Sequence, residues 1–279
     1  MSKQKKLIAF NYFGGKYRFL EELYYLFPEH LHFVDLFGGS FVVTLNKKPS
    51  KLDTVNDIDK SIINFFKILR NEPDCLINQL ELTPVSRDEY NNAFPYDDIN
   101  DSDIERARKF FIRLRMSFQG SGTVKHTGFN ACVTTTQNNK SKNVVKFRNS
   151  VEKLGGIVER LQNLQIENLD YKLLLDKYDR PGTFFYADPP YELKERNYKK
   201  FYQNEFTDED HRKLSEKLHK IKGLAMISHY ETKLYKELYK DWNIIRFKPV
   251  GHAIKKGKQK ECVWINYKQN ISPELQFTI

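Results

Sequence analysis

Cysteine is scarce here: Cys75, Cys132 and Cys262 stand far apart, with no CxxC pair among them. An odd, scattered set of thiols excludes a disulfide framework and a structural zinc site. Long apolar runs are missing too, and none approaches the length of a membrane span, so no membrane partner is expected. The basic start is followed by a segment broken by Asn11, Gly14, Gly15 and Lys16, which is not a signal-peptide pattern. The expected location is therefore cytoplasmic. No internal repeat is visible. No GKS or GKT follows a glycine turn, and the full GxGxxG fingerprint is absent, which disfavours ATP and NAD as ligands. A metal-ligand constellation is lacking as well. His30 and His32 have no neighbouring carboxylate or cysteine and read as a surface pair, while His211 and His219 fall on a charged helix and read as solvated.

What is abundant is positive charge. The 279 residues carry a net charge of +10 and a pI near 9.2. That balance favours a polyanionic partner, nucleic acid first, through counterion release from phosphates. The length allows one large domain or a domain carrying a sizeable insertion. Short apolar runs at 31–36, 52–56, 183–187, 224–228, 244–247 and 262–267 read as strands and alternate with amphipathic helices, an α/β signature. Between the second and third runs the character changes. Residues 61–70 and 101–117 look helical, and 120–149 is rich in Gly, Thr, Asn, Ser and Lys. Its tail, Asn143-Val144-Val145-Lys146-Phe147, reads as one arm of a β-hairpin. A structureless loop of that length is improbable in a compact domain. The expected division is a core of 1–60 and 165–279 with an inserted domain at 61–164, and a helix at 154–164 leading back to the sheet.

Three segments carry chemistry. The first is Asp188-Pro189-Pro190-Tyr191, directly after the buried run 183–187. Each proline fixes its own φ and pushes the preceding residue toward extended geometry, so the carboxylate and the aromatic ring are held on a stiff turn. Such a turn suits a flat, amino-bearing heterocycle. The second segment is Phe33-Val34-Asp35-Leu36-Phe37-Gly38-Gly39-Ser40, a strand running into glycines. It is followed about twenty residues later by Val55-Asn56-Asp57-Ile58-Asp59, where a carboxylate can take ribose hydroxyls or simply cap a helix. The third is Asn11-Tyr12-Phe13-Gly14-Gly15-Lys16, in which backbone can fold over a ligand, a ring can stack on it and an ammonium can reach a carboxylate.

In this order, with Lys260-Glu261-Cys262-Val263-Trp264-Ile265-Asn266-Tyr267 as the last strand, the set resembles the Dam-like (D12 class) DNA adenine-N6 methyltransferases that use S-adenosylmethionine. The resemblance implies a Rossmann-like sheet with helices on both faces, plus an inserted, mainly helical target-recognition domain with a β-hairpin. It implies that Asp188, Pro189, Pro190 and Tyr191 are catalytic. Tyr12, Gly14, Gly15 and Lys16 would line the cofactor pocket, and Phe37 and Gly39 would hold the methionine end. Asp57 would take the ribose and Asp170 the adenine, unless Asp170 is only a helix cap; Asp35, Gly38, Ser40 and Asp188 belong to the same cofactor set. Phe41 departs from the family, which often has glycine there, and is expected to shape or narrow the pocket.

Double-stranded DNA is the implied partner, and a cognate restriction endonuclease is a further candidate. A target base inside a duplex must be flipped out to be reached. The expected DNA contacts are Arg106, Lys109, Arg113 and Arg115 on a basic helix, Gln119 and Lys125 in the following loop, and Lys140, Lys142, Lys146 and Arg148 on the hairpin. Alongside Gln119 and Lys125, Ser121, Thr123, His126 and Asn130 are candidate base readers, and Lys255, Lys256, Lys258 and Lys260 form a second basic loop. RNA adenine, the N4 amine of cytosine, and a catalytically silent DNA-binding relative are the competing readings. The initial Asp before the prolines leans toward adenine as a family tendency.

Overall fold

The computed structural model describes residues 6–10, 12, 14–94, 100–118, 127–132, 136–137, 140–192, 205–247 and 261–269. Gln119, Lys125, Ser121, Thr123, His126 and the lysines at 255, 256, 258 and 260 lie outside the described residues, as do Asn11 and Phe13.

A seven-stranded sheet organises the chain. Its strands are β1 (His32–Asp35), β2 (Leu52–Asn56), β5 (Gln165–Glu167), β6 (Thr183–Ala187), β7 (Leu224–Tyr230), β8 (Asn243–Arg246) and β9 (Glu261–Ile265), in the spatial order β5-β2-β1-β6-β7-β9-β8. From β5 to β7 all neighbours are parallel; β9 runs antiparallel to both β7 and β8. The chain leaves β1 toward β2 on one side, while β6 lies on the other. The carboxyl ends of β1 and β6 therefore flank a topological switch point, where open α/β sheets bind ligands.

The central strands are buried at nearly every position because both faces are covered. Val34, Phe185, Ala187, Ala225, Ile227, Cys262 and Trp264 enter one cluster; Phe33, Phe184, Tyr186, Met226, Val263 and Ile265 enter the cluster on the other face. This is the two-residue alternation of a pleated strand. On the first face lie α9 (Tyr171–Tyr178), α10 (Asp208–Leu218) and α11 (Lys233–Leu238); on the second lie α1 (Leu20–Leu26) and α2 (Val42–Asn46).

Between β2 and β5 run α3 (Lys60–Asn71), α4 (Pro73–Leu82), α5 (Arg87–Asn92), α6 (Asp103–Met116), α7 (Lys142–Glu152) and α8 (Gly155–Gln162). They share one core that also takes in Phe10, Phe41, Leu45 and Val55, so these helices are rooted in the sheet's edge. Asp59, Ser86 and Ser102 cap α3, α5 and α6 by accepting first-turn N–H groups. The expected hairpin arm at 143–147 is corrected: that run lies inside α7. Phe147, Ser150 and Val151 recur at helical spacing and bury one face, which outweighs the β-branched pair Val144-Val145. A two-residue hairpin does occur just before it, β3 (Thr136–Gln137) paired with β4 (Lys140–Ser141). The short edge strand β5 carries too few residues to be read from pattern alone.

Candidate active site

Asp188 follows directly on the fully buried β6 and is itself mostly covered, with 17 % of its side chain exposed. Burial pushes its carboxyl up to about 6, against the pull of the lysine beside it. That lysine is Lys16. Gly14, at φ +71°, turns the chain so that a single 3-10 turn, Lys16–Phe19, aims the side chain inward. The ammonium donates to both Asp188 oxygens at 2.7 and 2.8 Å and to the carbonyl of Gly14 at 3.0 Å. Lys16 is buried, so this is a desolvated ion pair closed across 172 residues of sequence.

Tyr191 is buried beside the pair. The Lys16 ammonium lies 4.9 Å from its ring centroid, the His229 ring 4.3 Å away on a tilted plane, and Tyr230 meets it edge-on at 4.8 Å. Its hydroxyl donates to Glu261 at the start of β9. The next residue is tethered too, since the Glu192 N–H donates to His229 Nε2 at 3.2 Å. A backbone N–H can only donate, so Nε2 must be unprotonated there, and His229 Nδ1 is left to face the Tyr230 carbonyl at 3.0 Å. His229 in turn stacks on Tyr235 at 3.7 Å, and the Tyr235 hydroxyl meets His211 at 2.8 Å. His211 is thus buried, not solvated, and His30 and His32 are half-buried partners of Ser50 and Thr54 rather than a surface pair.

Two more carboxylates stand at the same sheet edge. Asp35 ends β1 fully buried; Thr44 donates to its Oδ2 at 2.8 Å, while Oδ1 has no hydrogen-bond partner. Burial pushes its carboxyl up to about 7. Asp57 follows β2 and is raised to about 6, again mainly by burial. It accepts the Gly39 N–H at 2.8 Å and the Asp59 N–H at 2.9 Å, so Asp59, not Asp57, is the helix cap. A side chain on Gly38 would come within 2.5 Å of Val55, and Tyr12 covers Gly39, which itself sits at φ +51°. Ser40 is buried behind them.

Phe41 takes a left-handed conformation at φ +57°, and its ring is buried in the core, stacked on Phe66 at 3.9 Å and backing Gly38. Asp170 accepts the Lys172 N–H at 2.8 Å as the cap of α9 and also lines a cavity of 170 Å³ with Phe37, Asn56, Ile58, Tyr171 and Phe206. Both readings of Asp170 are therefore compatible with its place.

The basic helix α6 differs from expectation. Lys109 pairs with Asp101 at 2.7 Å, Arg106 with Asp103, and Arg108 with Glu105 and Glu89 at 2.7 and 2.9 Å. Arg113 is buried and donates to the Ala93 carbonyl at 2.7 Å; burial lowers the Arg115 guanidinium to about 10. Arg108 and Arg113 thus tie α6 to α5 and its end, while Arg106 and Lys109 pair with carboxylates at the start of their own helix. Arg148 donates to the carbonyls of Leu80, Glu81 and Thr83 at the end of α4. Lys140, Lys142 and Lys146 are exposed, and no described carboxylate lies within ion-pairing distance of them. Asn130 donates its N–H to the Met116 carbonyl at 2.8 Å. Sequence reasoning missed His229, Asn56 and the part played by Glu261. The one available signal was a charged or polar residue standing in an otherwise apolar strand, as at Glu261 before Cys262-Val263-Trp264-Ile265.

Comparison with known proteins converges on one family. A profile described as D12 class N6 adenine-specific DNA methyltransferase matches residues 12–251. A type II methyltransferase of Lactococcus lactis subsp. cremoris is 28% identical over 277 residues, covering 91% of this chain and 93% of its own. A type II methyltransferase of Methanocaldococcus jannaschii is 26% identical over 262 residues, covering 83% and 87%. A DNA adenine methylase of Vibrio cholerae is 27% identical over 253 residues, covering 86% of each chain.

Proposed function

The chain belongs to the D12 class of N6 adenine-specific DNA methyltransferases, and we propose that it transfers the methyl group of S-adenosylmethionine to an adenine flipped out of duplex DNA. One observation carries this reading: a carboxylate, Asp188, and a buried tyrosine ring, Tyr191, are held together at the switch point by Lys16, His229 and Glu261.

The exocyclic amine of adenine is a poor nucleophile because its lone pair is delocalised into the ring. Asp188 accepts one N–H and the Pro189 carbonyl the other, which draws the nitrogen toward tetrahedral geometry and localises the lone pair. Lys16 favours the ionised form of Asp188 that this acceptor role needs. The Tyr191 ring packs on the base, an interaction worth about 1–3 kcal/mol in single-strand binding. S-adenosylmethionine supplies an electrophilic methyl group on a cationic sulfur. The residues present suit such a cation: Asp35 keeps a buried, unpartnered oxygen, and Asp57 and Asp188 stand at the ends of the neighbouring strands. On this reading Gly38 and Gly39 bring backbone close to the donor, with Tyr12 over Gly39; Asp57 takes the ribose hydroxyls and Asp170, which lines the cavity, the adenine amine. Residues 1–60 and 165–279 act as the catalytic part, and 61–164 as the target-recognition part. Lys140, Lys142 and Lys146 meet phosphates. A restriction endonuclease with the same target is the partner that the type II relatives suggest.

The test is methylation mapping. Unmodified genomic DNA is incubated with protein and S-adenosylmethionine and then sequenced by a method that reports modified bases. N6-methyladenine at one short motif is the expected result. Modified cytosine, or modification of RNA alone, would replace the substrate; no modification of either would leave a DNA-binding relative.

A further inference from the structure

Glu261 has no part in the adenine chemistry above, yet two residues of that chemistry are tied to it. Its Oε1 lies 3.4 Å from the Lys16 ammonium, and the same oxygen accepts the Tyr191 hydroxyl. The side chain is 14 % exposed, at the head of a strand whose other four residues are buried.

In the free protein both oxygens of Asp188 are engaged by Lys16, at 2.7 and 2.8 Å. Each oxygen keeps a second lone pair, so an incoming N6–H can still be accepted, but by a carboxylate whose charge the ammonium already draws on. Drawing the ammonium off would make Asp188 the stronger acceptor, and a buried cation cannot be left without an anion. Glu261 is the second carboxylate within reach: the 3.4 Å gap need only close to an ordinary charged hydrogen bond, about 2.8 Å. The count of charges in the cluster is the same before and after such a move, so no net charge has to be desolvated.

We propose that Glu261 is a positioning residue that takes Lys16 over from Asp188 as the target adenine enters, and returns it when the methylated base leaves. The inference rests on the reading of this site as an adenine methyltransferase. Because Tyr191 donates to the same carboxylate, the ring that packs on the base and the ammonium that makes way for it share one anchor.

Glu261→Gln tests this, because glutamine keeps an acceptor for the Tyr191 hydroxyl and removes only the charge. The single-turnover methylation rate should fall about 10- to 100-fold, the worth of one charge-assisted hydrogen bond. Affinities for DNA and for the methyl donor should stay as in the wild type. In a Lys16→Met background the same substitution should cost little more, since no ammonium remains to be handed over. A Glu261→Gln variant at the wild-type rate, or a loss that multiplies in full onto Lys16→Met, overturns the handover. Should Glu261→Gln fail to fold by thermal melting, the wild-type complex with target duplex and S-adenosylhomocysteine decides. The Lys16 ammonium is expected nearer Glu261 than Asp188 in that complex, and an ammonium still bridging both Asp188 oxygens overturns the proposal. A wild-type protein that leaves adenine unmodified in the same assay refutes the parent reading, and the handover with it.

Discussion

Replacing Lys16 by methionine should move the pH at which the enzyme switches on. The variant keeps the length of the side chain and removes the ammonium that lies 2.7 Å from Asp188. Asp188 sits near 6 because burial raises it while Lys16 holds it down. An opposite charge this close is worth roughly 1–3 pH units to a carboxylate, so its loss should carry Asp188 to about 7–9. In the proposed mechanism it is the ionised carboxylate that serves as the strong acceptor of the adenine N–H. At pH 7 the wild type is then about nine-tenths ionised, and a variant shifted by two units about one-tenth, an activity loss of about tenfold that fades as the pH approaches 9. The assay is the initial rate of transfer of a radiolabelled methyl group to DNA, taken as kcat/KM from pH 5 to 9.5 for both proteins. Whatever else is bound acts on both, so the displacement between the two profiles is the quantity to read. An acid limb that stays near 6 in the variant, or a loss equal at every pH, would show that Lys16 does not govern Asp188.

Phe41 offers a stability test of opposite sign to the usual helix rule. Phe41→Ala should destabilise by about 3–5 kcal/mol through the emptied core site, whereas Phe41→Gly should be about 1 kcal/mol less damaging because it relieves the left-handed backbone; an alanine variant with the higher denaturant midpoint would refute the strain. On the DNA side, changing Lys140, Lys142 and Lys146 together to alanine should flatten the dependence of log affinity on log salt by about 0.9 per lost phosphate contact, while Lys109→Ala leaves the slope alone. An unchanged slope in the triple variant would place the DNA elsewhere.

The sheet was legible because its strands are short runs that end at acidic or glycine-rich turns: 52–56 and 183–187 match β2 and β6 residue for residue. The Asp-Pro-Pro-Tyr turn and the glycine segments were legible for the same reason, since proline and glycine declare their backbone directly. Contacts made by chain reversal were not. Nothing near Glu261 in sequence announces Lys16 or Tyr191, because β9 reaches them only by running antiparallel beside β7. Nor does composition distinguish an arginine paired at home from one waiting for phosphate, as α6 illustrates. At 143–147 two adjacent valines outweighed the wider spacing of Phe147 and Val151, and at 211 a charged neighbourhood hid a histidine whose own face turns inward.

The place of β9 bears on how the protein is made. It is the last described strand to leave the ribosome, yet it lies between β7 and β8 and not at a margin of the sheet. Until it arrives, β7 and β8 each hold out an unsatisfied backbone edge toward a gap, a surface that recruits strands from other chains. Loss of the segment from Glu261 onward should therefore leave a sticky, insoluble nascent product and not a trimmed, weakly active one.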